Sequence, residues 1–280
     1  MERRDFITSA VVGGLAATAT TARADLIIPG RTRTERRARP VGEVVEEKQD
    51  SSYILLEFFY AETLEKRNVL AKHFDAELIP LRQSLGFSNI GVFTFHDELM
   101  ANERGDYGKY ANAVFVAQET YSSELLLNYQ KLSAKNAPVF NLSDDLEFVD
   151  EEIIALKSFV SQPHIDKPNS NPERLLQLRT YNSPNYERNV KKEGMFEDGE
   201  LDLFRRCGMA PVFFGSALFG SWAPNVTYML SFPSDEARRE GWSKFVNSEE
   251  WKKMSKDEQY ARTATRIRNI FLVPTENSQI

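Results

Sequence analysis

Two short runs recur in this chain at nearly the same spacing, and they limit its fold more than any other feature. Leu56-Glu57-Phe58 stands 120 positions before Leu176-Gln177-Leu178, and Leu85-Gly86-Phe87 stands 122 before Cys207-Gly208-Met209. A chain that repeats itself at this period builds two like units, each with an apolar face for the other to cover. Residues 53–60 form a dense apolar and aromatic run suited to a buried strand. Val69, Leu70, Phe74, Leu78, Ile79 and Leu81 then fall at helical spacing over residues 64–85, with a break near Pro80 and an end at Gly86. Strands are predicted at 90–95, 111–117 and 153–159, and a helix at 122–133 with Ser122 as its N-cap. The same order returns later: strands at 175–181, 212–219, 226–232 and 265–273, and helices at 184–206 and from Pro233 to about Met254.

Each half therefore reads βαββαβ, the ferredoxin-like arrangement, whose sheet carries helices on one face only. The bare face has to be buried. The predicted fold class is α+β: two ferredoxin-like halves packed sheet to sheet as one α+β barrel. The expected layout is a signal over 1–24, a charged spacer over 25–52, a first half over 53–162, a linker over 163–173, a second half over 174–275 and a tail over 276–280.

The N-terminal segment reads as an export signal. Arg3-Arg4-Asp5-Phe6-Ile7 precedes a mild Gly- and Ala-rich run and a small-x-small site, Ala22-Arg23-Ala24, which together resemble a twin-arginine signal peptide. Periplasmic or secreted placement follows. The run falls short of the roughly 20 strongly apolar residues that a membrane span needs, so no integral span is expected. A net charge of -6 argues against nucleic acid as a partner. With one cysteine, Cys207, and three histidines at no ligand spacing, neither metal nor cofactor is expected.

Over residues 53–273 the chain resembles the NIPSNAP family of the dimeric α+β barrel superfamily. The residues that carry the likeness are Gln177-Leu178-Arg179-Thr180-Tyr181, against the family's Glu-Leu-Arg-x-Tyr, the stretch 226–233, and Asn247-Ser248-Glu249-Glu250-Trp251. In the first half Leu78-Ile79-Pro80, Leu85-Gly86-Phe87 and Gly91-Val92-Phe93 also match, but Glu57-Phe58-Phe59-Tyr60-Ala61 lacks the arginine, which argues against two equal sites. The resemblance implies the barrel and a ligand cavity, and no particular reaction.

Within such a barrel, Gln177, Arg179 and Tyr181 are expected to face the interior, together with Tyr53, Leu55, Glu57 and Phe59. A buried Arg179 needs a partner, and Glu57 is the natural one. Two readings stand. Arg179 and Glu57 form a structural ion pair, or Arg179 polarises an oxygen, Tyr181 donates a hydrogen bond and Glu57 acts as base. His96, at a strand end beside a long loop, is a further candidate as a proton shuttle. Two functions correspond: a small-molecule binding or interaction module, its barrel filled by aromatics such as Phe59, Phe93 and Phe213 and able to form homo-oligomers through free strand edges; or a cofactor-independent, oxygenase-like or lyase-like enzyme with a cavity of roughly 300 Å3 inside the barrel.

Overall fold

Alternation along β1 (Tyr53–Ala61) sets the layers. Leu55 and Phe59 pack on Leu70, Phe74 and Leu78 of the following helical segment. Ile54, Leu56 and Phe58 therefore point the other way, where Phe58 lies 4.7 Å from Phe115 between ring centroids and Phe115 lies 5.7 Å from Phe93.

The computed structural model describes residues 51–101, 110–128 and 148–280, all within one compact unit, Glu46–Ile280. The expected signal, nearly all of the spacer, most of the loop before the third strand and the end of the helix begun at Ser122 lie outside the described residues. The first half supplies β1, β2 (Ser88–Phe95), β3 (Ala113–Thr120) and β4 (Phe148–Ser158); the second supplies β5 (Leu175–Asn182), β6 (Ala210–Gly220), β7 (Asn225–Phe232) and β8 (Arg266–Pro274). They close as a barrel in the order β1-β3-β2-β8-β5-β7-β6-β4, with antiparallel neighbours. The two halves meet sheet to sheet, as their order predicts. Each of the eight strands has a partner on both sides, so the free edges expected for self-association are used up in closure.

Two seams hold the halves together. The β4–β6 seam runs from Ile154↔Gly220 to Ser158↔Gly215. Gly220 is required there: its φ is +114°, and a Cβ would stand 2.2 Å from the Ile153 carbonyl oxygen. The β2–β8 seam is shorter, Phe93↔Pro274 to Phe95↔Leu272.

The helices of the first half are α1 (Leu64–His73), α2 (Ile79–Ser84), α3 (Asp97–Ala101) and α4 (Ser123–Leu127). Those of the second are α5 (Tyr186–Met195), α6 (Leu201–Arg206), α7 (Asp235–Asn247) and α8 (Glu249–Met254). Thr63 caps α1, Ser122 caps α4 and Ser234 caps α7, each through its side-chain oxygen. One wide π turn joins α1 to α2 (Phe74–Leu78) and another joins α5 to α6 (Phe196–Glu200), each opening on a fully buried phenylalanine. The first turn precedes Pro80, whose nitrogen has no hydrogen for the carbonyl a turn earlier.

The lumen is packed rather than hollow around its aromatic centre. Phe93, Phe115, Phe213, Leu178, Met229 and Ile270 are all 0% exposed there. Phe93 and Phe213 stand where the filled-barrel reading puts them, whereas Phe59 faces the helices. One ion pair crosses the lumen. Arg268 on β8 donates to Glu152 on β4 at 2.6 Å, and the Tyr60 hydroxyl donates to the other carboxylate oxygen at 3.1 Å. β8 and β4 lie four strands apart around the ring, so this pair ties the halves across its diameter. The Arg268 guanidinium is enclosed by the rings of Trp222, Tyr110 and Phe58 at 4.4, 4.9 and 5.3 Å.

The expected interior placement of Arg179, Tyr181, Gln177 and Glu57 is corrected by the alternation. Leu176 and Leu178 fill the lumen, which turns their polar neighbours toward the helices, and Glu57 turns likewise opposite Arg82 on α2. The wider apolar demand lies inside the closed barrel, and the polar face is the one that the helices cover.

Removing one member of the crossing pair strands a buried charge. Glu152→Ala is expected to lower unfolding stability by about 3 to 5 kcal/mol, and the double replacement Glu152→Leu/Arg268→Met by much less, in urea titrations.

Candidate functional site

Between the second half's sheet and its helices, β5 presents Gln177, Arg179 and Tyr181 to α5, the second π turn and α7. Trp242 on α7 donates through Nε1 to Gln177 Oε1 at 2.7 Å, and Gln177 Nε2 donates to Asn269 Oδ1 at 2.6 Å. These bonds fix the floor on which Arg179 rests. Its Nε donates to the Tyr181 hydroxyl at 3.2 Å, and Nη1 reaches Asn269 Oδ1 at 3.5 Å. The guanidinium carbon lies 4.8 Å from the Trp242 ring centroid and 5.5 Å from that of Tyr181. Nη2 has no hydrogen-bond partner among the described residues, and Arg179, Tyr181 and Trp242 are only half-buried.

Behind Arg179 stands a stacked phenol pair. Tyr181 and Tyr228 have centroids 5.7 Å apart, near-parallel rings and hydroxyls 3.2 Å apart. Lys192 on α5 lies 4.9 Å from the Tyr181 ring and donates to Glu200 in the π turn at 3.0 Å. Burial raises the Glu200 carboxyl pKa, against the pull of Lys192 and Arg179. Burial raises the Tyr228 phenol pKa as well, so it keeps its proton. For Arg179 burial acts against the charge, but Tyr181, Tyr228 and Glu200 outweigh it and hold the pKa above the ordinary arginine value. Lys192 is paired with Glu200, and Glu193 accepts from Ser216, which leaves the spare Arg179 donor to meet an anion.

The structure thus brings Arg179 and Tyr181 together and leaves Glu57 and His96 elsewhere. Glu57 lies on β1, four strands from β5 around the ring, and points outward. There it accepts from Arg82 Nη2 at 3.1 Å and from Gln118 Nε2, with all three side chains fully buried. His96 follows β2; its backbone N–H donates to the Phe271 carbonyl, its carbonyl accepts from Met100, and its ring makes no hydrogen bond among the described residues. Trp242 is the plate on which Arg179 stacks. Lys192, Glu200, Tyr228 and Asn269 carried no sequence signal, since each reaches the site from a different element. Among the described residues no group of three or more His, Cys, Asp and Glu is placed to hold a metal ion, and no helix is long and apolar enough to cross a membrane.

The arrangement defines a class: a closed α+β barrel of two ferredoxin-like halves, with a half-buried arginine and phenol site in the second. The NIPSNAP family model matches residues 176–279, that is, this second half from β5 onward. An uncharacterized NIPSNAP-like domain protein from Burkholderia xenovorans is 18% identical and covers 38% of this chain and 89% of its own, with a TM-score of 0.33. A monooxygenase candidate from Fusobacterium nucleatum is 7% identical, covers 80% of this chain and 92% of its own, and has a TM-score of 0.50. An anthrone oxidase-like protein is 12% identical, covers 81% and 92%, and has a TM-score of 0.45. No curated protein matches the chain.

Glu151 on β4, itself exposed, titrates beside the first half's buried cluster. Partial desolvation against the sheet first, and then the charge of Glu57, push its carboxyl up to about 7, against the pull of Arg82. The native state then holds this proton more tightly than the unfolded chain, so the contribution is present below about pH 4 and is lost as pH rises to about 7. Glu151→Gln is expected to match the parent protein near pH 4 and to exceed it in stability at pH 8, in denaturant titrations at the two pH values.

Proposed function

We infer that this is an exported, NIPSNAP-like binding module that holds a small organic anion between β5 and the helices of its second half. The observation that carries the reading is Arg179: clamped on Trp242, hydrogen-bonded to Tyr181 and left with Nη2 open at a half-buried position. A preset guanidinium loses little freedom on binding, and its planar donors match a carboxylate or enolate oxygen. Tyr181 supplies a neighbouring phenol, and Trp242 offers a flat apolar wall. The ligand class is therefore a carboxylate or enolate with an aromatic or other planar body.

The site is single. The matching layer of the first half is closed by Arg82, Glu57 and Gln118, each fully buried. We read the two halves as copies of one unit, in which one copy kept an open cationic site and the other sealed it. The resemblance of residues 1–24 to a twin-arginine signal supports export of the folded barrel.

A second reading, cofactor-independent oxygenase-like or lyase-like chemistry, draws on the stacked Tyr181–Tyr228 phenols, 3.2 Å apart, as a route for a proton beside a bound oxyanion. It no longer involves Glu57 as base. The filled lumen moves either reading from the barrel's interior to the helix side of the sheet.

Tryptophan fluorescence titration with a panel of aromatic and aliphatic carboxylates tests the site. Arg179→Gln is expected to weaken binding of the preferred carboxylate at least tenfold, about 1.4 kcal/mol, while Glu57→Gln leaves it unchanged. Saturable binding with equal affinity in both variants would remove Arg179 from the site. For export, Arg3→Lys/Arg4→Lys is expected to leave the full-length precursor in the cytoplasmic fraction.

A further inference from the structure

A cleft of about 410 Å3 opens away from Arg179, over the β2–β8 seam. Asn68, Ala71, Lys72 and Asp75 line one wall. Their spacing of three, four and seven residues sets them in one stripe along α1 and the start of its π turn. Thr94 of β2, with Pro274, Thr275 and Glu276 from the end of β8 and beyond, lines the other. The cleft thus straddles the short β2–β8 seam, lined by α1 and Thr94 from the first half and by residues 274–276 from the second.

Asp75 builds the site without being available to a ligand. Its carboxylate accepts from the Thr275 hydroxyl, from the Asn277 backbone N–H at 3.0 Å and from Asn277 Nδ2 at 2.8 Å. This clamp ties residues 275–277 to the helix and fixes Glu276 at the cleft. Lys72 and Glu276 then line one space with opposite charge, yet they make no ion pair with each other or with any described residue. The Thr94 hydroxyl is likewise unbonded among the described residues. Two opposite charges that share a cleft and stay apart leave room for a molecule carrying the complementary pair.

We propose that this seam cleft binds a small zwitterion of dipeptide size, its carboxylate toward Lys72 and its ammonium toward Glu276, with Asn68 and Thr94 as hydrogen-bonding partners and Ala71 and Pro274 as the apolar wall. The ligand bridges both halves across the shorter seam, so binding stabilises the closed barrel. The site is separate from Arg179 and stands whether or not the second half holds an anion.

Thermal unfolding of the full chain tests this with alanyl-alanine, its N-acetylated form, which keeps only the carboxylate, and its C-terminal amide, which keeps only the ammonium. The expected result is a saturable rise in Tm of about 3 °C with the zwitterion, at least twice that given by either blocked form. Lys72→Glu and Glu276→Lys should each abolish the rise, and the double reversal should restore it, because a dipolar ligand can turn round. A fourth variant, Arg179→Gln, should keep the rise. The proposal is overturned by equal shifts from all three peptides, by no shift, or by a shift that survives the single reversals.

Discussion

Mutual burial of two sheet faces is the constraint on which the rest of this structure depends. A βαββαβ sheet covered on one side exposes an apolar face that water opposes, at about 25 cal/mol for each Å2. Here that face belongs to Ile54, Leu56 and Phe58 in one half and to Leu176 and Leu178 in the other, and each half covers the other. Closure also pairs the outer strands, β2 with β8 and β4 with β6, so backbone groups that would stand at an edge are satisfied inside the same chain.

Closure assigns the polar residues their places. A packed lumen leaves space for charge only where charge is compensated, and Arg268, Glu152 and Tyr60 meet that condition inside a ring of aromatics. Glu57, Gln118, Gln177 and Arg179 face the helices instead. There the two halves diverge: Arg82 seals Glu57 and Gln118 in the first, whereas Arg179 in the second rests on Trp242 with donors to spare. The same layer between sheet and helices thus holds a sealed cluster in one half and a half-buried arginine in the other. Half-burial keeps Arg179 reachable, and the aromatic plates keep it still.

The element order, the two halves and the barrel were legible in residues 53–273 because period-two and helical spacing are local properties and the near-repeat fixes their pairing. That Arg179 and Tyr181 share one face of one strand was legible for the same reason. Both were misplaced to the lumen together with Glu57, although the strands were right. Alternation says which residues share a face and is silent on whether that face meets lumen or helix, because both are apolar when a barrel is closed. Lys192, Glu200, Tyr228 and Trp242 come from four other elements and meet Arg179 only through packing.

By itself, then, the order of amino acids determined the strands, the helices with their Ser and Thr caps and the placing of Arg179 beside Tyr181, since each depends on neighbours a few residues away. Tertiary structure alone decided which face looks inward, which arginine crosses the lumen, that Arg268 rather than Arg179 meets a glutamate there, and that Lys72 and Glu276 share a cleft. The physical reason is separation in sequence. Glu152 and Arg268 stand 116 residues apart, and no local pattern can report a contact that exists only once the ring has closed.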